Sequence, residues 1–156
     1  MENYTNVIDK TFLKSDANAL HTGLKTISMG LVSLKALTNV LKEDSLMTRY
    51  LDDQVDGYKT LQCEFEDALI SIGEKPDKAN AFESSMVSAS VNVKTMVDNS
   101  DSHVADMMIK GSNMGVIEIT KLRNEEEGRL SDACYSLLSK LLNTLDLFVE
   151  DMKQFL

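Results

Sequence analysis

At 156 residues, with 43% hydrophobic and 26% charged side chains, the chain has the size and apolar content of one self-supporting domain; this excludes a disordered tail and removes any need for a metal or disulfide to hold it together. Its formal net charge of -9 and pI of about 4.7 repel phosphate backbones and anionic lipid surfaces, so neither nucleic acid nor a membrane is an expected partner. Residues 1–14 lack the basic start and apolar core of a secretory signal, no apolar run approaches the ~18–20 residues of a membrane span, and Cys63 and Cys134 read as reduced packing thiols, so a cytoplasmic protein is expected.

Residues 1–14 are expected to form an N-terminal extension to a single bundle domain, 15–156. Ser15 and Asp16 are suited to cap a helix start. Beyond them Leu20, Leu24, Ile27, Leu31, Leu34, Thr38 and Leu41 recur at steps of three and four, which predicts a long helix over about 16–41 with one apolar stripe. A polar break at Lys42-Glu43-Asp44-Ser45 precedes a second stripe through Leu51, Gln54, Tyr58, Leu61, Phe65, Ala68 and Ile72, predicting a helix over about 45–72. Gly73 followed by Pro76 is the usual order of a helix stop.

A shorter helix is expected over about 80–97, with Phe82, Met86, Ala89, Val93 and Met96 on one face. The cluster Asp98-Asn99-Ser100-Asp101-Ser102 then reads as a turn leading into a third long helix, about 103–124. On that helix Val104, Met107, Met108, Gly111, Met114, Gly115 and Leu122 share one side, while Ile109, Val116 and Ile117 fall elsewhere. Apolar residues on more than one face need covering on more than one face, so this helix is expected to be central or to join a subunit contact, making a homo-oligomer, specifically a dimer, the expected partner. After Glu125-Glu126-Glu127-Gly128, the heptad Cys134, Leu138, Leu141, Leu145, Phe148, Met152 and Phe155 predicts a fourth helix over about 131–155.

Four long helices of matching length, with short links between the first two and the last two, predict an all-α antiparallel four-helix bundle in which the 80–97 segment is a helical crossover. No segment reads as a strand. This layout resembles the ferritin-like topology. Ile70-Ser71-Ile72-Gly73-Glu74-Lys75-Pro76, the small-residue helix with Phe82 and Val93-Lys94, and Asp101 to Gly111 are similar to an uncharacterised bacterial family of that type. In that family a Leu-Gly-Gly-Glu-Pro signature precedes the crossover, and an acidic third helix carries Arg-Gly-Glu-Asp. Here Lys110-Gly111 stands at the Arg-Gly position, and Met107, Ile109, Ser112 and Asn113 replace the acidic residues. The resemblance implies a fold and no established reaction.

A ferritin-type di-iron centre needs an inward glutamate on each of two helices and Glu-x-x-His on the other two. The two histidines, His21 and His103, do not follow a glutamate by three residues, and no carboxylate lies between Asp16 and Glu43. No metal, cofactor or catalytic residue is therefore expected. Gln54 and Glu118 interrupt apolar stripes; Glu118 is open to reading as a remnant ligand or as a residue that reaches solvent, Lys110 or Lys121. Gly111 and Gly115, like Gly23 and Gly30, are expected to allow close helix approach, and the nine methionines to fill the bundle. The acidic residues between Asp52 and Asp67 read as a solvated face. The functional expectation is a non-enzymatic interaction or structural protein. The alternative is a metal-binding or oxidoreductive ferritin-like protein, with a carrier of an apolar ligand between the helices as a third reading.

Overall fold

Serine side chains start three of the four long helices of the computed structural model, which describes residues 2–77 and 96–156, with side chains from residue 10 onward. Ser45 caps α2 (Leu46–Ser71) by accepting from the Thr48 N–H at 3.0 Å. Ser100 caps α3 (Asp101–Glu125) by accepting from His103, and Ser131 caps α4 (Asp132–Met152) by accepting from Cys134. In each case a hydroxyl satisfies an N–H that has no partner inside the helix. A single 3₁₀ turn, Lys153–Phe155, extends α4.

α1 (Glu2–Thr38) departs from expectation at its start. The helical backbone begins at Glu2, so the segment expected as a separate extension is continuous with the helix. Neither glycine nor proline interrupts residues 2–15, and Ser15 and Asp16 are not its caps. Both side chains are buried and turned toward the α3–α4 link instead: Ser15 Oγ donates to Glu126 Oε2 at 2.8 Å, and Asp16 accepts from Ser131.

The stop signals act as read. Gly73 takes φ +81, its N–H donates to the Ile70 carbonyl, and the Glu74 N–H reaches back to Leu69 at 3.0 Å. That pair of bonds is a Schellman closure, which satisfies the last carbonyls of α2. In the α1–α2 link Asp44 adopts φ +63, and Thr48 Oγ1 donates to the Lys42 carbonyl at 2.8 Å, holding the turn.

Side-chain contacts fix the helix directions. His21, early in the bundle part of α1, stands 3.5 Å from Glu74 just after α2, so α1 and α2 are antiparallel. Tyr50 near the start of α2 stacks on Phe148 and meets Phe155 at the end of α4, so α2 and α4 are antiparallel too. The tight 126–131 link makes α3 antiparallel to α4. α2 and α3 are consequently parallel, so Glu74 and Ser100 stand at opposite ends of the bundle. The crossover helix expected over 80–97 lies outside the described residues except for Met96 and Val97, which are not helical. The described residues form an all-α four-helix bundle without strands.

One core runs through all four helices. The predicted stripes of α1 and α4 are buried almost completely, with Thr38 and Phe155 at their edges. On α2, Leu51, Tyr58, Leu61 and Phe65 are buried, while Gln54, Ala68 and Ile72 are half-buried. Gly23 and Gly30 let α1 lie on the rings of α2: a methyl added at Gly23 would stand 2.3 Å from a Phe65 ring carbon, and one at Gly30 2.6 Å from Tyr58. Lys140 on α4 clasps both oxygens of Glu64 on α2 at 2.6 and 2.7 Å, so one member of the acidic run makes a contact between helices. Arg123 lies 4.2 Å over the Tyr135 ring, joining α3 to α4.

The core face of α3 is rotated from the expected one. Val104, Ala105, Met108, Ser112, Gly115, Ile119 and Leu122 are buried, whereas Gly111 and Met114 are exposed. Ser112 occupies a core position that hydropathy assigns to an apolar residue, and the glycines carry no hydropathy signal that separates inner from outer. Hydropathy alone therefore favours the face that carries Met107 and Met114.

Candidate functional site

Between α1 and α3 the bundle leaves an open groove of about 640 Å³. Gly30 and Tyr58 line one side, Gly111 and Gly115 the other, and Leu145 closes the base from α4. Small residues make the hollow. Gly115 allows close approach, since an added methyl would stand 3.0 Å from Thr26 and 3.3 Å from Leu145; a methyl added at Gly111 would meet no neighbouring element within 4 Å. The two glycines, four residues apart, thus serve different ends: one brings helices together and the other leaves a gap.

The rim is apolar and exposed. Met29 stands on the α1 side and Met114 and Ile117 on the α3 side, with 71% of Met114 and 54% of Ile117 accessible. Met107 is half-buried at the same edge. Of the methionines, Met47 and Met152 fill the core, Met108 is buried and also lines the groove, and Met29, Met107 and Met114 line it from more accessible positions. Flexible, polarisable thioethers on an open surface suit a partner of adaptable shape.

Glu118 and Lys121 complete the α3 rim. Glu118 is exposed and is therefore not a buried carboxylate. Gln54, the other polar interruption, is half-buried on α2 and does not line the groove. His21 and His103 sit at opposite ends of the bundle, the first beside Glu74 and the second in the first turn of α3. Among the described residues no group of three or more histidine, cysteine, aspartate or glutamate side chains gathers where it could hold a metal ion.

Groups with displaced acidity are shifted away from reactivity. Burial, with the adjacent Asp16 carboxylate and its hydrogen bond adding to the effect, pushes the Cys134 thiol up to about 12. Burial alone raises Tyr58 to about 12. A thiol held protonated at neutral pH is the opposite of an activated nucleophile. Cys63 is exposed and, like Cys134, unpaired.

A second hollow, about 630 Å³, lies beside the α3–α4 link among Lys10, Lys14 and Arg129. Three of its polar side chains engage one another: Glu126 accepts from Ser15 and pairs with Arg129 at 3.5 Å. The two hollows are of similar volume, and the α1–α3 groove is the one with apolar walls.

Of the lining residues the sequence marks Met107, Gly111, Met114, Gly115 and Glu118 on α3, but on the α1 wall only Gly30. Thr26, Met29 and Ser33 follow one another at three and four residues along the flank of the core stripe, a weak signal that becomes legible only once α3 lies beside it.

The fold and the groove define the class: an all-α four-helix bundle with an uncovered apolar channel along two of its helices. No helix among the described residues is long and apolar enough to cross a membrane. No family model matches the chain, and neither a curated protein nor a solved structure matches it.

Proposed function

We propose that this protein is a non-enzymatic interaction module that receives an amphipathic helix in the α1–α3 groove. The observation that carries the reading is the continuous apolar rim of Met29, Met107, Met114 and Ile117 around the gap at Gly111. A groove of this kind takes a helix whose side chains repeat at three and four residues, with a knob seated over the glycine. The upward shifts of Cys134 and Tyr58 also support a structural rather than a catalytic role for these groups. The proposal treats the chain as sharing the ferritin-like layout without its metal centre. It places the protein in the cytoplasm, supported by two unpaired thiols, and away from nucleic acid, supported by the net charge of -9.

A photo-crosslinking amino acid placed at Met114, compared with one at exposed Asp53 on α2, tests the reading in living cells. A protein adduct at 114 and none at 53 is the expected result. Equal adducts at the two positions, or stoichiometric iron or manganese on natively purified protein, would overturn it.

A further inference from the structure

We propose that the helix received by the groove is α3 of a second copy of this chain, the two α3 helices crossing antiparallel about a two-fold axis at Met114. This inference rests on the interaction reading above and names its partner.

The outward stripe of α3 is self-complementary in that arrangement. With Met114 on the axis, Ile117 of each copy faces Gly111 of the other, so a branched side chain seats over the position where an added methyl would have open space. Lys110 then stands opposite Glu118 twice over, and the stem of Lys121 lies along Met107. Glu118 and Lys121 form no ion pair within the described residues, and Lys110 holds Asp106 at 2.6 Å on the solvent side with ammonium donors to spare. Sliding the pair by one helical step of four residues sets Met114 against Lys110 or against Glu118, which strands a charge on the apolar seam. A parallel pairing sets Lys110 against Lys110 and Glu118 against Glu118.

Exposed ion pairs add little affinity, so they set direction and register while Met114, Ile117 and Met107 supply the buried apolar surface. At 25 residues α3 is about 37 Å long, which gives the crossing helices and the flanking α1 rim room to approach the ~800 Å² per partner of a standard interface. The long-range repulsion between two chains of charge -9 opposes association, which is why the local charge order matters.

The test combines sedimentation velocity with substitutions at exposed positions, folding being checked by circular dichroism. Wild type at about 100 μM should be a dimer, a concentration far above the dissociation constant of a standard interface. Met114→Lys should give a monomer. Glu118→Lys should weaken the dimer about tenfold, and adding Lys110→Glu should restore it, since two like-charged contacts are created and then removed. In a Cys63→Ser background, Met114→Cys should form a disulfide dimer under mild oxidation and Ile117→Cys should not. A monomeric wild type with an adduct to another protein at position 114 overturns the second-copy inference and leaves the interaction reading standing. A monomer whose crosslinks stay within its own chain, or that forms none, overturns both. A dimer weakened equally by Glu118→Lys and by the double exchange overturns the antiparallel register.

Discussion

The carboxylate of Asp16 on α1 accepts two hydrogen bonds from Ser131, one from its backbone N–H at 2.9 Å and one from its hydroxyl at 2.5 Å. Ser131 in turn caps α4 through the Cys134 N–H, and Cys134 Sγ lies 4.0 Å from the Asp16 carbonyl. One buried acid therefore joins the long first helix to the N-terminus of the last, where the helix dipole favours negative charge.

Removing the Asp16 carboxylate orphans the Ser131 N–H, and removing the Ser131 hydroxyl takes the partner of Asp16 Oδ2 and the cap of α4. Asp16→Ala and Ser131→Ala should each lower unfolding free energy by about 1–3 kcal/mol in urea titrations, through a lost cap and an orphaned buried group. The double variant should lose less than the sum by about 1 kcal/mol, as contacting residues do. Strict additivity would show that the two side chains act separately.

Glycines of the same helical type should respond in opposite directions. Gly57 is exposed on α2 with nothing within 4 Å of an added methyl, so Gly57→Ala should stabilise by up to about 1 kcal/mol through helix propensity. Gly30→Ala drives a methyl into the buried Tyr58 ring, and Gly23→Ala does the same at Phe65; each should destabilise by about 1–3 kcal/mol. Thermal melts of the three variants decide the matter, and a stabilised Gly30→Ala would contradict the close α1–α2 approach.

Phe148 holds the aromatic end of the bundle, 6.0 Å from Tyr50 and edge-on to Tyr58 at 6.3 Å. Phe148→Ala should cost about 3–5 kcal/mol by denaturant unfolding. Tyr50→Phe, which removes only the solvent-exposed hydrogen bond to Asp151, should cost no more than about 1 kcal/mol. Similar losses from both would show that the hydroxyl, rather than ring packing, joins α2 to α4.

Alkaline pH should unfold the protein earlier than a bundle of ordinary groups. Cys134 and Tyr58 titrate at 9.0 and 10.0 when unperturbed and at about 12 in the folded chain. The unfolded state therefore loses these protons first, so stability is complete below about pH 9 and falls as pH rises toward 12, by about 1.4 kcal/mol per pH unit for each group. Urea unfolding under reducing conditions at successive pH values should show this decline. Cys134→Ala should flatten it between about pH 9 and 10, and Tyr58→Phe should make it shallower above about pH 10, where Cys134 and Tyr50, whose hydroxyl is also raised by burial and by Asp151, keep contributing. Constant stability across that interval would refute the burial of both groups as acids.

Local periodicity and punctuation determined much of the architecture. Leu20 to Leu34 on α1 and Cys134 to Met152 on α4 form stripes because a 3.6-residue repeat places them on one side whatever they pack against. Gly73 stops α2 through a backbone angle that needs no tertiary partner.

Where two helices share a boundary, the chain alone was ambiguous. Ser15 and Asp16 look like a cap because short polar side chains favour helix starts; only the nearness of Ser131 and Glu126 turns them into tertiary ligands inside a helix. Met114 and Ile119 are both apolar and five residues apart on α3, yet the first faces solvent and the second is buried. Hydropathy records what a side chain prefers, whereas exposure depends on the rotation of α3 against α1 and α4. That rotation is set by contacts at Gly115 with Thr26 and Leu145, which lie far apart in the chain. The groove exists only in that relationship, and tertiary structure alone decided it.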